Sequence, residues 1–188
     1  MTLRSIEEFF KEYVYQVPVG GEIKFTENGL GGEGSTFFQT TAHAVVIKAP
    51  KRPPSVWALK CRRFSEGSFL TVDLETKKTG LHILEMKSKL TGDELSSVLE
   101  QFKGMYLASL GVIGILNLPH PDTVQCYLAY KELDLGKSQP IFLKTTVGGG
   151  VPAGISAWHN GKVRLPHGVT GSLIKKTRID GNAHFEVT

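Results

Sequence analysis

Residues 69–88 read Phe69-Leu-Thr-Val-Asp73-Leu-Glu75-Thr-Lys-Lys-Thr-Gly80-Leu-His-Ile-Leu-Glu85-Met-Lys87-Ser88. Apolar and β-branched residues fill 69–75 and 81–87, and the polar run 76–80 between them ends in glycine, so the stretch predicts two strands joined by a turn. The second strand decides the fold. Leu81, Ile83, Leu84 and Met86 populate both of its faces, which marks a strand buried on both sides. Such a strand should not carry ionised side chains unless they are paired or hold a cation. Yet Glu85 and Lys87 stand two apart and point to one face. Asp73 lies among Leu70, Val72 and Leu74 on the strand before. If Lys78-Thr79-Gly80 is a three-residue loop with Gly80 left-handed, Asp73 falls opposite Glu85, with β-carbons about 5 Å apart. A strictly two-residue loop would place the two carboxylates on opposite faces.

Moving toward the N-terminus, 56–64 reads as another strand, and 37–48 as one more. Ala49-Pro50-Lys-Arg-Pro53-Pro54 is a rigid turn that no central strand accommodates. Asn28 to Ser35 is a glycine-rich loop without the Gly-Lys-Ser/Thr ending of a phosphate-binding loop. Ser5-Ile-Glu-Glu8 has capping-box spacing, and Ile6, Phe9, Phe10, Tyr13, Val14 and Val17 follow at helical spacing, so a helix is expected over 5–16, closed by Pro18.

In the other direction, Thr91-Gly-Asp-Glu94 is a second capping box, opening a helix to about Leu110 with Gly111 as its stop. The apolar run 112–118 predicts a buried central strand, and 124–132 a further one. From 137 onward glycines alternate with short β-prone runs. Asn160-Gly161 and Asp180-Gly181 are strong two-residue turn signals. The expected organisation is an α/β (α+β) core over 1–136, a mixed central sheet flanked by helices, with a β-hairpin-rich extension over 137–188 packed on it for recognition or dimerisation.

Composition bounds the function. The chain has 188 residues, 40% hydrophobic and 21% charged, enough to bury a core without disulfides or metal. No apolar run approaches the roughly 20 residues of a membrane helix, and no apolar leader opens the sequence, so a cytoplasmic protein without membrane partners is expected. Two cysteines, Cys61 and Cys126, make no disulfide framework and fit no zinc pattern. The six histidines show no paired metal-ligand spacing. The net charge of +4 permits nucleic acid as a partner without demanding it.

Asp73, then Glu85-Met86-Lys87, then a capped helix, resembles the PD-(D/E)xK nuclease superfamily, which has the restriction-endonuclease-like fold. The likeness spans residues 56–132. It implies a restriction-endonuclease-like core and a catalytic set of Asp73, Glu85 and Lys87. Asp73 and Glu85 would bind Mg2+, or Mn2+ in its place, with the Met86 backbone carbonyl as a further ligand. Lys87 would orient or activate the attacking water. Gln101 and Tyr106 on the following helix would be supporting residues. The implied activity is metal-assisted hydrolysis of phosphodiester bonds, with DNA favoured over RNA. Lys60, Arg62, Arg63, Lys89 and Lys103 are the expected phosphate contacts, and cleavage of both strands of a duplex would favour a homodimer. The competing readings are an RNase toxin, and a non-catalytic nucleic-acid-binding or assembly module on the same sheet.

Overall fold

The computed structural model describes residues 4–27, 34–50, 63–135 and 152–187. Strand β5 (Gly67–Val72) and strand β6 (Thr79–Thr91) form the expected antiparallel pair at the centre of a seven-stranded mixed sheet. On one side of them lie β4 (His43–Lys48) and the edge strand β1 (Val14–Val17), both antiparallel to their neighbours. On the other side come β7 (Thr123–Asp134) and β9 (Thr170–Thr177), both parallel to β6, and the short antiparallel edge strand β8 (Lys162–Arg164). A second sheet of three strands holds β2 (Glu22–Glu27), β3 (Gly34–Thr40) and β10 (Asn182–Val187), with β3 in the middle.

Helix α1 (Gly92–Ile115) carries the chain from β6 to β7, and helix α2 (Ala153–Asn160) precedes β8. The fold is thus a mixed α/β arrangement in three layers. Leu70, Val72, Leu81 and Ile83 from one face of the main sheet meet Leu95, Val98, Phe102 and Met105 of α1. Phe69, Leu84, Met86 and Tyr127 from the other face meet Ile23, Phe25, Phe38 and Phe185 of the small sheet. The two-sided burial of β6 follows directly from its apolar residues at both odd and even positions. Among the described residues no helix is long and apolar enough to cross a membrane.

Several sequence expectations are corrected. Over 5–16 only a 3-10 turn, Arg4–Glu8, forms, because Val14 to Val17 are drawn into the sheet beside β4. The single strand expected over 37–48 is two strands in different sheets, β3 and β4, separated at Thr41-Ala42. The strand expected over 112–118 is the last turn of α1 and the chain leaving it. Its apolar run continues the helical stripe through the buried Ile113, and the helix stops where Asn117 turns left-handed at φ 52°. A continuous apolar run does not by itself separate helix from strand. Asn160-Gly161 does not turn a hairpin; Gly161, at φ 63°, ends helix α2. Asp180-Gly181 does make a tight turn, bridging Ile179 and Asn182, but the strands it joins diverge into different sheets. The segment expected as an appended extension supplies β8 and β9 to the main sheet and β10 to the small one, so it is built into both layers. The strand expected over 56–64 lies largely outside the described residues, as does most of the loop expected over 28–35, whose last two residues, Gly34 and Ser35, instead open β3; Arg63 and Phe64 are not in a strand.

Candidate functional site

The ladder between β5 and β6 pairs Val72 with Thr79, Leu70 with Leu81 and Gly67 with Leu84. Asp73 therefore faces Lys78, whose carbonyl accepts its backbone N–H at 3.0 Å. It does not face Glu85. The turn itself causes the difference. The Asp73 carboxylate accepts hydrogen bonds from the Glu75 N–H at 2.9 Å, the Thr76 N–H at 3.2 Å and the Thr76 hydroxyl at 2.5 Å. This Asx-type cap turns the chain immediately after Val72, and Lys77 rather than Gly80 takes the left-handed position, at φ 57°. The same hydrogen bonds hold the Asp73 carboxyl below its usual range, Thr76 contributing most. Asp73 is occupied as a turn anchor at the far end of the hairpin from Glu85.

One step beyond the Gly67–Leu84 pair, the residue brought alongside Glu85 is Glu66. Its carbonyl accepts from the Ala49 N–H at 3.1 Å, which continues the β4–β5 ladder and fixes its place. Sequence reasoning passed over it. The signal that could have found it is the Asp73-x-x-Thr76 cap, since fixing that turn slides the register and selects Glu66 as the partner of Glu85.

Glu85 is 1% exposed and lies beneath α1. Its Oε1 is 3.0 Å from Lys87 Nζ, while its Oε2 is buried without a hydrogen-bond partner among the described residues. Lys87 is also 3.6 Å from Glu94, in the first turn of α1. That turn is set by Thr91, whose hydroxyl accepts from the Glu94 N–H at 3.3 Å. Burial pushes the Glu85 carboxyl up to about 8, against the pull of Lys87 and with a further push from Glu66. Burial draws Lys87 down, but Glu85, Glu94 and Glu66 more than offset it and hold the ammonium above the usual lysine range. Glu66 is raised as well, by burial first and then by Glu27, with Lys87 and Arg178 opposing. Near neutrality this is a group of carboxylates short of positive charge, able to take up a proton or a cation.

The site lies toward the carboxyl ends of the parallel strands β6, β7 and β9, where open sheets commonly bind ligands. Just past β9, Arg178 donates its backbone N–H to Tyr130, the residue that pairs with Lys87. Its side chain crosses to the small sheet and ion-pairs with Glu27 through Nη1 at 2.5 Å. The Met86 side chain points to the small sheet, accepting the Thr36 hydroxyl at its sulfur. Backbone groups alternate along an antiparallel ladder. With Asp73 bonded to Lys78, the backbone groups of Leu84 face β5, and those of Met86 face the same side, beyond the end of that strand.

The remaining expected residues divide. Gln101 reaches the site, adding to the pull that opposes the rise of Glu85, and its amide donates weakly to the Phe64 carbonyl at 3.4 Å. Tyr106 is buried between α1 and the sheet, its hydroxyl without a hydrogen-bond partner among the described residues. Arg63 donates to the Ser97 hydroxyl at 2.8 Å on the outside of α1. Lys89 is paired with Asp134 and Lys103 with Glu100, both on the surface. Lys60, Arg62 and Cys61 lie outside the described residues. Cys126 is buried in β7, where desolvation pushes its thiol up, which suits a structural residue. His82 points away from Glu85 into the aromatic layer, stacked on Phe69 at 4.5 Å. Comparison of the chain with protein-family models, curated proteins and solved structures finds no match.

Proposed function

We propose that the protein is a metal-dependent endonuclease that hydrolyses phosphodiester bonds of nucleic acid, with DNA as its substrate and Glu66, Glu85 and Lys87 as its catalytic set. One observation carries the reading. Glu85 is a fully buried carboxylate in an apolar strand, paired with a lysine two residues on and flanked across the ladder by a second carboxylate. A purely structural role would leave two costs unexplained, the buried Oε2 without a hydrogen-bond partner among the described residues and the neighbouring charge of Glu66.

The order acid, acid-x-Lys, capped helix and parallel strand supports the restriction-endonuclease-like reading of the core, with Glu66 in the place assigned to Asp73 from sequence. Among the described residues no three carboxylate, imidazole or thiol side chains gather as a metal cluster. Magnesium does not require three, since it keeps several waters and is often held by one or two carboxylates. The unpartnered Glu85 oxygen, the adjacent Glu66 and the Met86 carbonyl fit such an ion. Held there, it would lower the pKa of a bound water and offset charge in the phosphoryl transition state. The chain's own residues do the rest. Lys87 keeps its ammonium charged beside Glu85, placed to orient the attacking water and to stabilise developing negative charge. Glu94 and the Thr91 cap fix where that ammonium sits. Gln101 restrains the Glu85 carboxylate from the helix side.

The test is cleavage of supercoiled plasmid, single-stranded DNA and RNA with magnesium or manganese. Wild type is expected to cleave DNA only with metal, and Glu66→Gln, Glu85→Gln and Lys87→Met to lose at least about a hundredfold of the rate. Cleavage that persists in Glu85→Gln, or that needs no metal, rejects the assignment. Cleavage confined to RNA corrects the substrate and leaves the site standing.

A further inference from the structure

We infer that the cleft between the two sheets, at the amino ends of β6 and β7, binds a primary ammonium carried on a small apolar body, its charge seated over Gly80 against His82, Thr71 and Thr123. The site is independent of the nuclease reading. His82 stands on the face of β6 that carries Leu84 and Met86, whereas Glu85 and Lys87 lie on the α1 face and further along the strand.

The cleft has a volume of about 840 Å3, within the size range of small-molecule sites. Its floor is one row of the main sheet, Thr71 of β5, Gly80 of β6 and Thr123 of β7, which pair side by side. Thr40 of β3 and Val187 of β10 line it from the small sheet. His82 lies one step behind Gly80 and lines the cleft as well. It does so because residue 80 has no side chain. A β-carbon there would press to 3.0 Å on both His82 Nε2 and the Thr71 hydroxyl, and to 3.4 Å on the Thr123 hydroxyl. Three polar tips thus converge on the space over one glycine.

These groups are one proton short. The Tyr127 hydroxyl donates to Gln125 at 2.6 Å, so its oxygen accepts from His82 Nδ1 at 3.2 Å. That network assigns the tautomer protonated on Nδ1 and leaves Nε2 as an acceptor. Burial keeps the imidazole neutral, its pKa lowered to about 4. The single Thr71 hydroxyl proton then faces two acceptors, Nε2 at 3.0 Å and the Gly80 carbonyl at 3.2 Å. It serves only one of them fully, and an acceptor left short in a buried place is a cost that a ligand donor removes. Charge at the rim selects the kind of donor. Among the described residues lining the cleft, Asp73, Glu75 and Asp122 face a single lysine, Lys78. Hydrogen bonds from Thr76 hold Asp73, and those from Thr79 hold Asp122, below the usual carboxylate range, so both stay charged. At the lip, Val19 and Leu74 are each more than half exposed. An ammonium meets the first two demands, and an apolar body covers the lip. With one ammonium proton on Nε2, the Thr71 proton turns wholly to Gly80, and the Thr71 and Thr123 oxygens accept the other two.

The direct test is NMR of the whole protein with nitrogen-15-labelled histidine at neutral pH. The probe is 2-phenylethylamine, with 2-phenylethanol as its neutral isostere and 3-phenylpropionate as its anionic one. The His82 Nε2 resonance, assigned by its loss in His82→Phe, should shift saturably with the amine. The amine should bind at least about tenfold more tightly than either comparison compound, and Thr71→Val should weaken it roughly tenfold. Thr71 belongs to a packed row, so Glu75→Lys supplies a second reading from the exposed rim. It should weaken the amine roughly threefold and leave the alcohol unchanged. A His82 resonance unmoved at the solubility limit of the amine overturns the inference. So does equal affinity for the alcohol, which would make the cleft a merely apolar slot, or a preference for the carboxylate. Wild-type affinity for the amine in both Thr71→Val and Glu75→Lys overturns it too. None of these readouts involves nucleic acid or divalent metal, so their outcome is separate from that of the cleavage test.

Discussion

Asp73 and Glu66 are carboxylates at the two ends of one strand, and ladder register alone separates their roles. Asp73 anchors the turn through three hydrogen bonds, so Asp73→Ala should lower the melting temperature modestly and leave metal-dependent cleavage within about twofold of wild type. A hundredfold loss of rate in that variant would return Asp73 to the site. Glu85 and Lys87 stood out in the sequence because two charges on one face of an apolar strand call for a partner, and the structure pairs them with each other. Glu66 did not, because its partner depends on where a four-residue polar loop closes, and Gly80 looked the better turn residue than Lys77. A second buried residue gives a pH signature. His82 is held by the Thr71 hydroxyl at 3.0 Å and by Tyr127 at 3.2 Å, and burial lowers its imidazole from 6.5 to about 4. The unfolded chain protonates this histidine near 6.5 while the native protein does not, so its stabilisation is complete above that pH. It is lost as the pH falls toward 4, an effect of about 3 kcal/mol. Urea unfolding at pH 7 and pH 4.5 should show a larger acid loss for wild type than for His82→Phe. Equal losses would show that His82 is not the group responsible.

At the level of elements, the α1–α2 contact is tight. A β-carbon on Gly154 would come within 2.8 Å of the Leu95 backbone and β-carbon and of the Ser96 nitrogen. Gly154→Ala should therefore force the helices apart and cost about 1–3 kcal/mol in chemical denaturation. An unchanged denaturation midpoint would mean that α2 shifts freely on α1. The start of α1 could be read at Thr91 because a capping box is a local chemical pattern. Its end could not. Gly111 sits on an open part of the helix with nothing near its missing side chain, so no contact forces a stop there, and burial of Ile113 rewards one more turn. The α2 segment was misread for a related reason. Its β-prone run 155–159 is short, and packing against Leu95 overrides its local preference.

On the scale of the whole molecule, the Arg178–Glu27 ion pair ties the main sheet to the small one. Arg178 is 0% exposed at its side chain and Glu27 14%, so removing one partner strands a buried charge. Arg178→Met should cost about 3–5 kcal/mol, and the Glu27→Gln/Arg178→Met pair distinctly less than the sum of its single changes. Strict additivity in that cycle would mean that the two charges act independently. The layering itself was only half visible in sequence. Two-sided burial of β6 announced a covered sheet, but nothing local says that β10 will leave its turn partner β9 and join β3 instead. That choice also has a timing consequence. The Asn182 side chain accepts from the Ser35 N–H across 147 positions of sequence, and Phe185 stacks on Phe38 at 5.3 Å. A chain emerging from the ribosome makes Phe38 and Tyr127 long before it makes the strand that shields them. Both rings are made before β10, Phe38 by far the earlier, and the closure that brings Phe185 onto them is a long-range step. Until β10 arrives only β2 and β3 can cover that face, so the newborn protein should expose a strip of aromatic surface beside β3 for an extended interval and be sticky there.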